Sequence, residues 1–236
     1  MFINIEGIDG SGKTTMAAAM ADEIQRNGRE CLHTREPGGG KTLSKKIRET
    51  LLHSDYSFTH DEQVILMFAD RIEHLTTTIE PALKAGVVVV NERFTPSTIA
   101  YQVDNGRASP MLAGMLHKAI VRPESGRDPD LTVFLDVDPE TAQTRLHQNG
   151  KLDNMEREHL KKIWGLQASY RRQFQSMENA ITVDANKSAL EVEQEVRGLA
   201  AQLFQTHPHQ MYRAGLMKRV RDHLKYGLDM CLPRRG

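Results

Sequence analysis

Only two cysteines, Cys31 and Cys231, are spread over the 236 residues. Two thiols so far apart build neither a disulfide framework nor a cysteine-rich zinc site, and their scarcity points to a reducing compartment. The ten histidines form no His-Glu-x-x-His and no compact Cys/His ligand set, so a structural metal is not expected. No Gly-x-Ser-x-Gly nucleophile elbow occurs, which removes the usual hydrolase reading. Neither sign of charge is in excess, 31 Lys and Arg against 31 Asp and Glu, so no strong global field draws the chain to nucleic acid or membrane. Long apolar runs are missing, and the plainest, Val87 to Val90, is far too short to cross a bilayer. Phe2-Ile3-Asn4-Ile5 begins a strand-like pattern at once, without the basic start and apolar stretch of a signal peptide. The expectation is a soluble, cytoplasmic protein with no membrane contact. There is no internal repeat, and the lone tryptophan, Trp164, sits at helical spacing suited to core or interface.

What is present is alternation. Short apolar runs at 2–6, 30–34, 87–91, 131–136 and 180–184 read as strands. Helical patterns fall at about 13–27, 41–52, 60–85, 109–121, 138–149, 156–178 and 188–205. Strands buried on both faces appear as continuous apolar runs, and helices must supply the crossovers between parallel neighbours. The expected fold class is therefore α/β, with three layers and a five-stranded, mostly parallel sheet covered by helices on both faces. Composition shifts near Thr206, after which residues 206–236 carry seven Lys or Arg against two Asp. Leu216, Met217, Val220, Leu224 and Leu228 share one helical face there. This basic helical extension reads either as a helix packed on the 1–205 domain or as a contact for a protein partner or nucleic acid.

Gly7-Ile8-Asp9-Gly10-Ser11-Gly12-Lys13-Thr14 matches the phosphate-binding P-loop pattern, with a predicted strand before it and a predicted helix after it. A triphosphate needs several backbone N–H groups turned inward, which a glycine-rich turn permits without Cβ clashes. The helix N-terminus adds a favourable field, Lys13 reaches the β- and γ-phosphates, and the Thr14 hydroxyl suits Mg²⁺. A P-loop NTPase fold that binds a nucleoside triphosphate with Mg²⁺ is expected, with Gly7 to Thr15 as the nucleotide-binding residues. GTPases, ATPases and small-molecule kinases share this loop, so the second substrate's site must separate them. An acceptor that is itself a phosphate monoester arrives as a near-dianion, needing no general base but cations to overcome its repulsion from ATP. Arg35, Arg48, Arg71, Arg93 and Arg145 lie at or near element ends and are the candidates.

Six motifs then occur in register, and together they resemble the thymidylate kinase family over residues 1 to about 205. They are the opening Phe2 to Thr15, Thr34-Arg35-Glu36-Pro37-Gly38-Gly39, Phe68-Ala69-Asp70-Arg71, Asn91-Glu92-Arg93-Phe94, Pro129-Asp130-Leu131 with Phe134-Leu135-Asp136, and Asp184-Ala185. The resemblance implies transfer of the γ-phosphoryl group of ATP to dTMP, in a homodimer joined by helix packing. It implies that Asp9 faces the acceptor sugar and its 3′-hydroxyl, that Arg48 and Arg93 grip the acceptor phosphate, and that Arg71 bonds the thymine edge. Thr98 would approach the base, and Tyr101 would crowd the sugar's 2′ position. A mobile lid would lie at about 145–158, supplying a catalytic arginine, for which Arg145 is the first candidate and Lys151 and Arg157 the reserves.

This chain departs from the family pattern in four places. Glu92 stands where the family has aspartate, so its contact with Mg²⁺ or a bound water must be re-set by one methylene. Met67 occupies the place of the family's stacking phenylalanine, while Phe68 is displaced along the helix by one residue, a turn of about 100°. Either Met67 packs on the base or a helix irregularity restores Phe68. In the lid, Asp153-Asn154-Met155-Glu156 has no arginine at the second position, and the basic tail has no family counterpart. Two alternatives accompany dTMP phosphorylation: a kinase for dUMP or a 5-substituted dUMP, and a nucleotide-binding protein without transfer.

Overall fold

A computed structural model describes residues 1–121, 128–148 and 154–205. The expectations for the basic tail and for Lys151 and Asp153 fall outside these residues. Five strands form one sheet, β1 (Phe2–Glu6), β2 (Cys31–Arg35), β3 (Val88–Glu92), β4 (Leu131–Asp136) and β5 (Ala180–Asp184), in the order β2-β3-β1-β4-β5. Every neighbouring pair is parallel. All five strands lie within a residue of the runs read from sequence.

The side-chain period of a strand explains how both faces are filled. Ile3, Ile5, Val88 and Val90 join Met20, Ile24 and Val196 in one core cluster. The intervening Phe2 and Val89 join Val64, Phe68 and Leu75 in another. The helices supplying these partners are α1 (Lys13–Arg26), α3 (His60–His74) and α10 (Ala189–Gln205). Helix α2 (Thr42–His53) lies against α3, and α6 (Pro110–Ile120) also packs on it. A capping box starts α3, where the Thr59 hydroxyl accepts from Glu62 N at 3.2 Å and Glu62 accepts from Thr59 N at 2.7 Å.

Three local features were not legible as periodicity. The long helix expected at 60–85 is α3, a π-helical stretch at Leu75–Ile79, and α4 (Glu80–Lys84). Pro81 sits at the start of α4 and offers no N–H to the preceding turn, which the wide π geometry accommodates. Residues after β3 form α5 (Thr95–Thr98) and a second π stretch at Ile99–Asp104, where no helix was expected. The helix expected at 156–178 is broken into α8 (Asn154–Leu160) and α9 (Ile163–Ser176). Gly165 near the start of α9 lies so close to Asn105 that a Cβ there would stand 2.0 Å from its Oδ1.

His74, Leu75 and Ile79, on the stretch expected as one long helix, are fully buried within the chain. Trp164 is 61% exposed and is not a core residue. Among the described residues no helix is long and apolar enough to cross a membrane.

Candidate active site

Parallel topology places the loops after β1, β2 and β3 at one edge of the sheet, the usual place for ligands in an open α/β fold. A cavity of about 620 Å³ lies there. Helix α7 (Pro139–Gln148) borders its nucleotide end. Of the residues expected from sequence, Asp9, Gly10, Ser11, Gly12, Lys13, Thr14 and Thr15 line it from the cradle. Arg48, Met67, Arg71, Glu92, Arg93, Thr98, Tyr101 and Arg145 line it as well. Gly7, Ile8 and Phe68 fall outside the lining.

The cradle needs its glycines for two distinct reasons. Gly10 has φ 81°, and a Cβ on it would meet the Ala142 carbonyl oxygen at 2.4 Å. Gly12 has open space around it, but its φ of 90° at the N-cap of α1 is a backbone conformation that favours glycine. Lys13 folds back so that Nζ donates to the Ile8 carbonyl at 2.7 Å and lies 3.9 Å from Asp9. Burial and the neighbouring Arg93 depress its pKa to about 8, against the pull of Asp9 and Glu92.

Arg93 holds the one positive φ, 66°, found at a non-glycine among the described residues. Such a conformation costs about 1–2 kcal/mol and persists where surroundings over-determine it. Here Arg93 N donates to the Ile5 carbonyl at 3.0 Å and its own carbonyl accepts from Asn91 Nδ2 at 2.7 Å. The guanidinium then pairs with Asp9, donates to Ser97 Oγ at 3.2 Å, and lies 5.0 Å from the Tyr101 ring centroid. Burial raises the Asp9 carboxyl, but Arg93, His159 and Lys13 outweigh it and hold it well below the usual range.

Helix α3 supplies Met67 and Arg71 to the lining. Arg71 is almost fully buried, with Nε donating to Glu36 Oε2 at 2.7 Å and Nη2 donating to Thr98 Oγ1 at 3.2 Å. Its guanidinium lies 4.7 Å from the Phe68 ring and 4.6 Å from the Phe94 ring. Phe68 therefore serves Arg71, while Met67, one residue earlier on a regular helix, presents to the cavity. The helix irregularity lies beyond, at 75–79, and does not bring Phe68 round.

The turn after β2 is secured by a buried polar network. Glu36 Oε1 is 3.1 Å from His74 Nδ1, and Asp70 Oδ1 accepts from Gly38 N at 2.9 Å and from the Ser44 hydroxyl. Arg48 Nη1 donates to the Pro37 carbonyl at 2.9 Å, carrying the guanidinium to the cavity wall. Asp70 Oδ2 is buried with no partner among the described residues, and burial together with Glu36 pushes the carboxyl up to about 6. Between pH 3.8 and about 6 the folded state holds a proton that the unfolded chain releases, so stability falls as pH rises through that window. The loss amounts to about 3 kcal/mol at most. Asp70→Asn is expected to remove this slope. Urea unfolding of both proteins at pH 4 and pH 7 measures it, and equal pH dependence in the two would refute the assignment.

Two histidines at the site carried no sequence signal. His33, on β2, reaches Glu92 Oε1 at 2.8 Å, while the Thr14 hydroxyl donates to Glu92 Oε2 at 2.6 Å. The longer side chain of Glu92 thus spans the sheet edge and the cradle. Burial raises this carboxyl, yet the bonds from His33 and Thr14 and the charge of Lys13 hold it below its usual value. His159, on α8, reaches Asp9. Nothing but tertiary proximity joins residues so far apart in the chain.

On α7, Arg145 donates to the carbonyls of Ala185 at 2.9 Å and Lys187 at 3.1 Å, tying α7 to the turn after β5. Arg157 is exposed and outside the cavity lining.

The glycine-rich loop and a second set of arginines thus share one cavity. A sequence model of the thymidylate kinase family matches residues 5–196. A thymidylate kinase of Hahella chejuensis is 37% identical over 206 residues, covering 86% of this chain and 97% of that protein. One from Synechococcus sp. (strain JA-3-3Ab) is 39% identical over 194 residues, 81% of this chain and 91% of its own length. A Francisella tularensis thymidylate kinase is 32% identical over 197 residues, 83% and 92% of the two chains. With a family model matched over residues 5–196 and relatives 32–39% identical along more than four fifths of the chain, the chain belongs to the thymidylate kinase family.

Proposed function

We propose that this chain transfers the γ-phosphoryl group of ATP to dTMP, giving dTDP and ADP. The observation that carries the reading is that Lys13 and the pair Arg48 and Arg93 line the same cavity, so two anionic groups can meet. Residues Gly7 to Thr15 hold the triphosphate, with Lys13 on its terminal phosphates. Arg48 and Arg93 take the acceptor phosphate and offset its charge as it approaches the donor. Arg71 and Thr98 present polar groups to the base edge, Met67 covers its face, and Tyr101 stands at the sugar beside Asp9. Arg145 adds positive charge at the nucleotide end.

The neighbouring oxygens of Thr14 and Glu92, 2.6 Å apart, suit a hard divalent cation that keeps most of its waters, and these residues would hold Mg²⁺ on the nucleotide. Such an ion would neutralise phosphate charge. The work of orientation stays with the protein's own side chains.

A homodimer is part of the proposal. On α3, Ile65 and Ile72 are 52% and 45% exposed two turns apart, and on adjacent α6 Met111 and Met115 are 73% and 64% exposed. That apolar face on two packed helices suits a second copy of the chain. A cytoplasmic location, where ATP is available, completes the reading, with residues 1–205 as the kinase domain and 206–236 as an extension.

ADP release measured across dTMP, dUMP, 5-hydroxymethyl-dUMP, dCMP and dGMP tests the proposal. The highest kcat/KM is expected for dTMP, and Lys13→Ala is expected to lose turnover by at least about 100-fold while still folded. A much higher value for another acceptor would replace dTMP. Nucleotide binding without transfer to any of them would leave only a binding protein.

A further inference from the structure

His159 enters the acceptor end of the cavity from α8 with no part in the roles assigned above. Its Nδ1 is 2.7 Å from Asp9 Oδ2, and its ring centroid is 4.2 Å from that of Tyr101. A carboxylate kept ionised only accepts, so Nδ1 carries the proton in this bond. Nε2 then has no hydrogen-bond partner among the described residues, and the side chain is 20% exposed. Asp9 is held at both oxygens, Oδ1 by Arg93 and Oδ2 by His159 and by the Tyr101 hydroxyl at 3.3 Å. The charge and hydrogen bonds of these neighbours keep the carboxyl ionised.

We propose that His159 is a specificity-determining residue of the acceptor site, which fixes the Asp9 carboxylate and presents Nε2 to the acceptor sugar's 3′-hydroxyl. The inference rests on the sugar-facing role proposed for Asp9. A site built to pair a hydroxyl rejects the analogue lacking it, because its own polar groups are then left desolvated and unpaired. Tyr101 closes the same wall, its ring tilted 54° to that of His159, so the two rings and the carboxylate form one surface against the sugar. His159 belongs to the short helix α8, whose contact with Asp9 brings it to the cradle.

The test compares kcat/KM for dTMP and for its 3′-deoxy analogue in the wild-type enzyme, His159→Ala and His159→Asn. Wild type is expected to favour dTMP on the order of 10- to 100-fold. His159→Ala is expected to lose about 10-fold on dTMP, through KM with kcat kept within about threefold, and little on the 3′-deoxy analogue. The preference for the hydroxyl therefore collapses. His159→Asn, whose amide can replace the Nδ1 bond to Asp9 but not the reach of Nε2, is expected to recover only part of it. Should the alanine variant not fold, the asparagine variant alone decides by the same ratio. Equal losses on both acceptors, or an unchanged preference, overturn the inference. A wild-type enzyme idle with dTMP overturns the acceptor reading and this inference together, whereas an active one indifferent to His159 overturns the inference alone.

Discussion

Arg93→Ala is expected to lower kcat/KM for dTMP about 1,000-fold or more while leaving a folded protein. The guanidinium does three things at one place. It would grip the acceptor phosphate, it pairs with Asp9, and it packs 5.0 Å from the Tyr101 ring centroid. Charge-assisted bonds to phosphate in a site shielded from water are worth far more than exposed pairs, and stabilising charge on a transferring phosphoryl group is the largest effect a single arginine supplies. Arg93→Lys is expected to recover less than about tenfold of the loss, because a point charge on a flexible stem replaces a rigid fork. Removing the arginine also strips Asp9 of its strongest opposing charge, so the carboxyl moves back up toward its ordinary range. Steady-state kinetics paired with thermal melts separates these effects from unfolding. A loss below about tenfold in Arg93→Ala would reduce Arg93 to a tether for the cradle.

The largest effect on stability is expected at Arg71. Arg71→Met leaves Glu36 buried without its closest cation, and breaking a buried pair from one side costs about 3–5 kcal/mol. The lower end of that range is expected, since His74 still reaches Glu36 at 3.1 Å. Two aromatic rings also lose the guanidinium they sandwich. The double variant Glu36→Gln/Arg71→Met is expected to regain a good part of the loss, because the orphaned charge is then absent. Urea unfolding of the two variants and the wild type measures the coupling. If the single and double variants were equally destabilised, packing around Arg71 rather than its charge would be the reason it is there.

Much of the fold was legible because its signals are local. Five apolar runs bounded by turn residues became five strands, and Gly7 to Thr14 carries its own backbone requirement in its glycines. The arginines that line the cavity were legible in another way, by their settings at element ends and by the resemblance to a family. The resemblance left Met67 and Phe68 open, and the geometry of a regular helix resolved which side chain meets the cavity. Element boundaries that depend on distant contacts were not legible. The segment at 95–104 shows no apolar period of 3.6, and the 156–178 pattern does not show the break between α8 and α9.

By itself the amino-acid order determined the parallel α/β sheet, the phosphate nest and the set of cations available to meet a second phosphate, because periodicity, glycine placement and residue chemistry act within a few positions. Only the tertiary structure decided which groups hold those cations and carboxylates in place: Arg93 in its left-handed turn on Asp9, Glu92 between Thr14 and His33, and His159 against Asp9. Pairings across 59 to 150 residues of chain leave no local trace, since they exist only where the sheet has already brought its loops to one edge.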